Sequence, residues 1–167
     1  MKKLLKRILI LILIISLVII GFFTYKGYIR YRNAVVKTSI SVKVKEYTDK
    51  EDYAEYDEID KDFINAVVAI EDKRFFSRKG LDFIAFTRAL LTNIISGKLV
   101  EGGSTISQQI AKNIYFQDIN RSITGKIAEV FVMIDLENAY SKEEIFALYV
   151  NMNYYGDGYW GITQAAK

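Results

Sequence analysis

Ala69-Ile70-Glu71-Asp72-Lys73-Arg74-Phe75-Phe76-Ser77-Arg78-Lys79-Gly80 is the stretch on which the reading of this chain turns. An apolar run at helical spacing (Phe63, Ala66, Val67, Ile70) leads into it and delivers two adjacent acids to a helix end. Two aromatics and a basic turn closed by Gly80 follow. A carboxylate at a helix C-terminus faces the negative end of the helix dipole, which disfavours its ionised form. Partial desolvation there would raise its pKa and suit Glu71 to general acid or base work near neutral pH. Taken alone, the stretch is better read as a solvated acid pair ending a surface helix, since structural acids outnumber catalytic ones.

The 167 residues suit one domain plus an anchor. There is no cysteine, which excludes a disulfide framework and thiolate metal sites. There is no histidine either, so proton transfer must fall to Glu, Asp, Lys or Tyr. The net charge of +3 is modest, and no stripe of Lys and Arg is interleaved with stacking aromatics, so no nucleic-acid partner is expected.

Residues 8–23 are almost unbroken Ile, Leu, Val and Phe. As a helix the run reaches roughly 24 Å, and Thr24 and Tyr25 extend it to about 27 Å, near the lower limit for crossing a bilayer. Lys2, Lys3, Lys6 and Arg7 precede it, which favours a cytoplasmic N-terminus. No small-x-small cleavage site follows, which favours an uncleaved signal anchor over a signal peptide. The expected organisation is a basic cytoplasmic segment at 1–7, a transmembrane anchor at 8–25, an extended stem at 26–59 and a domain at 60–167. Val42 and Val44 alternate with Lys43 and Lys45 and predict one strand in the stem.

In the domain, helices are expected over 60–71, 82–95 and 122–140, with a further one capped by Ser141 and Glu144. The helix over 82–95 is apolar around much of its circumference, so core packing is the default, with contact to the membrane as the alternative. Ile123, Ile127, Val130, Phe131 and Ile134 predict the buried stripe of the 122–140 helix. Gly102-Gly103-Ser104-Thr105-Ile106-Ser107-Gln108-Gln109 reads as a loop entering a helix, with Thr105 and Gln108 forming a capping box. Free N–H groups at such a start attract phosphate. Lys112 follows one turn beyond Gln108, and Arg121 after a polar loop. Lys126 and Glu129 share one side of their helix and, by themselves, suggest a surface ion pair. Residues 151–161 form a glycine- and aromatic-rich loop suited to a sugar groove or simply to a tight turn.

In this order and spacing, the stretches resemble the peptidoglycan glycosyltransferases of family 51, the lipid II polymerases. Glu71, Asp72, Phe75 and Gly80 match the first motif. Gly102 to Gln109 match the second, with Ser107 where threonine is usual. Lys126 and Glu129 fall in the third, and Asn151, Tyr154 and Gly156 in the fourth and its continuation. The resemblance implies a mainly α, lysozyme-like, two-lobed helical domain behind the single transmembrane helix, with the 82–95 helix in a membrane-apposed lobe.

It also implies a chemistry. Glu71 would be the general base on the 4-hydroxyl of an acceptor N-acetylglucosamine, which attacks the anomeric carbon of the donor N-acetylmuramic acid with inversion. Undecaprenyl pyrophosphate would leave, with Lys112, Arg121 and Lys126 as nearby cations. Ser104, Thr105 and Gln108 would hold phosphate or sugar, and Glu129 would position the donor or its cation. The implied partners are lipid II, the nascent glycan strand, the membrane and transpeptidases, with Mg or Mn as an implied divalent cation. No metal ligand set is readable in the sequence. Two departures stand out: Arg78 replaces a usual histidine, and Gly125 replaces the arginine expected before Lys126. The chain stops at Ala165-Ala166-Lys167, where the resemblance implies further helices. The alternative reading is a non-catalytic module that binds lipid II or another polyprenyl pyrophosphate; a glycan-cleaving enzyme has no need of the phosphate-suited loop.

Overall fold

The computed structural model describes residues 2–96, 103–117 and 122–167. The chain is mainly α, and no strand occurs among the described residues. Its elements are α1 (Lys2–Lys37), α2 (Ile40–Thr48), a 3-10 turn at Tyr56–Glu58, α3 (Lys61–Glu71), α4 (Phe83–Ser96), α5 (Ile106–Tyr115), α6 (Ile123–Ala139), α7 (Lys142–Met152) and α8 (Ile162–Ala165).

α1 is one continuous helix of 36 residues, about 54 Å long. Its first part is long and apolar enough to cross a membrane and is exposed throughout. Its last part lies along α6, in the most extensive helix pair of the fold. Gly27 makes this approach possible, because a Cβ on it would collide with the Ile127 side chain. The Tyr28 and Tyr31 rings lie 5.3 and 5.5 Å from that of Phe131. The Tyr31 hydroxyl donates to Asp135.

The extended stem with one strand is therefore corrected. Residues 26–59 are largely helical and packed onto the domain. Ser39 caps α2, accepting from Val42 N at 3.4 Å, and Ile40 and Val44, one helical turn apart, are buried together while Val42 is exposed. The Val42/Val44 alternation lost to this i,i+4 pair, which meets apolar surface on α7. The Asn151 side chain fastens the same region by accepting from Ala54 N at 3.0 Å and donating to Ala54 O at 2.8 Å. Tyr115 donates to Thr38 O at 2.6 Å.

α7 is the centre of the domain. Every residue from Ile145 to Met152 is buried, so the helix is enclosed on all sides rather than one-faced. Around it lie Phe75, Ile106, Ile110, Ile114 and Phe116, together with Val132 and Leu136 of α6. The predicted α6 stripe is corrected too. The core face is Ala128, Val132, Met133 and Leu136, whereas Ile123 and Ile134 are exposed and Ile127 and Phe131 face α1. α6 is apolar on two sides because one meets α1 and the other meets α5 and α7, and a single-stripe reading merges them. On α4, Phe83, Ile84 and Ile95 are exposed rather than packed in the core.

Candidate functional site

The expected helix start and stop at 60–71 are observed. Asp60 caps α3 by accepting from Asp62 N and Phe63 N, and Asp72 ends it. The two adjacent acids then part. Glu71 is exposed, and its Oε2 accepts from Gln109 Nε2 at 2.7 Å. Its carboxylate is not desolvated as expected. Gln109 Oε1 in turn accepts from the Tyr149 hydroxyl at 3.4 Å. Burial pushes the Tyr149 phenol up; a hydrogen bond with Asn153 opposes the shift and the Glu71 charge adds to it. The phenol is thus a neutral donor that fixes the Gln109 amide, and the amide fixes Glu71.

Asp72 turns inward. It is buried, paired with Arg78 Nη2, and accepts from Ile106 N at 3.3 Å. The Arg78 guanidinium also donates to Gly80 O and lies 3.5 Å from Glu137 and 3.9 Å from Asp82. With its side chain 10% exposed, Arg78 is a structural cation of a buried acid cluster. Phe75, fully buried, packs against Phe76 and Phe146 at 5.0 and 6.3 Å.

α5 begins where predicted. Thr105 Oγ1 accepts from Gln108 N at 3.2 Å and Gln108 Oε1 accepts from Thr105 N at 3.0 Å. Both residues are buried, and these groups complete the helix start. Ser104, one residue earlier, accepts from Lys126 Nζ at 3.2 Å, and Lys126 pairs with Glu129 at 2.6 Å. Glu129 is 8% exposed and Lys126 50%, so the pair is half-sunk with its cation outward. Lys112 is exposed on α5, one turn beyond Gln109. Gly103 precedes this start; Gly102 and Arg121 lie outside the described residues.

The site is thus organised along α5. Ser104, Lys126 and Glu129 gather at its start, and Gln109 and Glu71 meet one turn in. Asn151 serves the packing described above. The Tyr154 and Trp160 rings pack at a tilt, 5.0 Å apart, in a turn that Gly156 opens with φ +97°. Among the described residues, no group of three or more acids converges as a metal site.

Sequence reasoning missed Glu137. It accepts from Gly80 N at 2.6 Å and from Ser107 Oγ at 2.6 Å, and pairs with Lys142 at 2.8 Å. Burial pushes this carboxyl up, but the hydrogen bonds from Lys142, Ser107 and Gly80 outweigh it and hold the group below its ordinary value. The available signal was an acid beside Leu136 on the α6 face that carries Glu129, Val132 and Met133. Ser107, the departure from threonine, keeps the hydroxyl this contact needs.

A family model described as Transglycosylase matches residues 37–167. Penicillin-binding protein 1F of Bacillus subtilis is 35% identical over a 176-residue alignment covering 99% of this chain and 24% of that protein. Penicillin-binding protein 1A of Aquifex aeolicus is 40% identical over 69% of this chain and 16% of its own length. A monofunctional glycosyltransferase of Staphylococcus epidermidis is 40% identical over 74% of this chain and 45% of its own. The chain spans under half the length of each of these relatives. With most of its residues matched by the family model, and with similarity of this extent, the chain belongs to the transglycosylase family.

Proposed function

We propose that the chain is a membrane-anchored peptidoglycan glycosyltransferase that extends glycan strands from lipid II. The observation that carries this is the Gln109–Glu71 contact on α5, one turn from the Ser104–Lys126–Glu129 group. An exposed carboxylate held by an amide suits proton acceptance, and a cation of α6 that reaches Ser104 before α5 suits leaving-group charge. Family membership and the monofunctional glycosyltransferase among the relatives support the reaction class.

In this reading Glu71 accepts the proton of the acceptor sugar's 4-hydroxyl. The oxygen attacks the donor's anomeric carbon from the face opposite the leaving group, so the configuration inverts. The bond to undecaprenyl pyrophosphate breaks and its electrons pass to the pyrophosphate oxygen. Lys126, with Lys112 of α5 as a second candidate cation, stabilises that charge where it develops. The described residues offer no converging ligand set for a divalent cation, so no step is assigned to one. α1 crosses the membrane with its basic start in the cytoplasm, which puts the domain on the wall-facing side beside its lipid-linked substrate.

The test is strand formation from labelled lipid II by the solubilised chain beside Glu71→Gln. A ladder from the parent and none from a folded mutant supports the assignment; a ladder from both removes Glu71 as the base.

A further inference from the structure

Gly125 is buried at the first turn of α6, immediately before Lys126. A Cβ on it would lie 3.7 Å from Arg30 Nη1 and 3.8 Å from Arg30 Cζ. Such a Cβ would meet Ser122 Oγ first, at 3.1 Å, and would stand in ordinary contact with this guanidinium from another helix. Arg30 Nη1 donates to Ser122 Oγ at 3.2 Å, and the same oxygen caps α6 by accepting from Gly125 N at 3.1 Å. Arg30 Cζ also stands 5.8 Å from the centre of the Phe116 ring, at the end of α5. These contacts pin the guanidinium between the end of α5 and the start of α6. They use one of its five N–H donors.

Depth adds a second argument. Arg30 lies five residues beyond Tyr25 on the continuous α1, about 7–8 Å past the apolar span. That is the level of lipid headgroups, where the phosphates of a membrane-held substrate lie. A planar fork of donors suits phosphate oxygens better than a single ammonium does. We propose that Arg30, carried by the anchor helix, is a pyrophosphate-binding residue of this site, supplying beside Lys126 the charge that Gly125 lacks. The anchor then contributes to substrate binding as well as to attachment. This inference rests on the function proposed above.

The test is equilibrium binding of geranylgeranyl pyrophosphate to the full chain in detergent, for the parent, Arg30→Gln, Arg30→Lys and the double variant Arg30→Gln with Gly125→Arg. Arg30→Gln should weaken binding about tenfold at unchanged Tm. Arg30→Lys, which keeps the charge, should lose clearly less, and the double variant should recover. Parent-like binding by Arg30→Gln overturns the proposal while leaving the proposed function standing. So does an equal loss in Arg30→Gln and Arg30→Lys, which marks a packing role, or a folded double variant with no recovery. A parent that binds no pyrophosphate sinks the proposed function itself, and this inference with it.

Discussion

Gln109 donates its side-chain amide to the Glu71 carboxylate at 2.7 Å, while its carbonyl oxygen is held by the Tyr149 hydroxyl. The Glu71 carboxylate is thereby fixed from α5 although it is exposed. Gln109→Ala should leave the fold intact and slow strand formation about tenfold, a loss of roughly one charged hydrogen bond. Tyr149→Phe should cost less, because the amide then keeps its Glu71 contact and loses only its orientation. Initial rates from labelled lipid II, with circular dichroism as the fold control, check both.

Lys126 joins Ser104 and Glu129 across the α5–α6 junction. Lys126→Ala should lower the rate by one to two decades, if its roughly 1.5–3 kcal/mol acts in the transition state. Glu129→Gln should reduce it less, since the amide keeps the Lys126 contact without its charge. A Lys126→Ala variant with an unchanged rate removes this lysine from the site.

Glu137 sits among Gly80 N, Ser107, Lys142 and Arg78. Glu137→Ala leaves two largely enclosed cations, Arg78 and Lys142, without it and should destabilise the chain by about 3 kcal/mol. Because the folded carboxyl lies below its ordinary value of 4.5, its contribution is full above that pH and is lost as pH falls through the folded pKa. At the alkaline end, burial, with the Glu55 and Glu144 charges adding to it, pushes Tyr53 up to about 12. Its contribution is full below its ordinary value of 10 and is lost as pH rises toward 12. Denaturation midpoints across pH, for the parent and Glu137→Gln, check the acid limb, which should flatten in the variant.

Gly27 lets α1 touch α6. Gly27→Ala should loosen that contact at a cost of about 1–3 kcal/mol, and Ile127→Ala in the same chain should recover part of it. Gly21→Ala, with nothing within 4 Å of its Cβ position, should be neutral. Thermal unfolding of the three variants in one detergent separates these outcomes.

Much was legible because it was local. The caps at Asp60, Thr105 and Ser141 act over three residues, so their helices could be placed from sequence. The acid pair at the end of α3 and the spacing of Lys126 and Glu129 were visible for the same reason. What misled was the number of partners each element has. Val42 and Val44 look like a strand until α7 is present to bury Ile40 with Val44. Ile127 and Phe131 look like core until α1 is found beside them.

The sequence by itself determined a helical domain behind an apolar anchor, and which residue types are available for its chemistry. Only the tertiary structure decided that Glu71 faces outward while Asp72 is locked inward by Arg78, and that Arg30 of the anchor stands over Gly125. The physical reason is that periodicity and capping are set by neighbours in sequence. The direction of a carboxylate or a guanidinium is set by donors and acceptors that come from distant helices and meet only when the core closes.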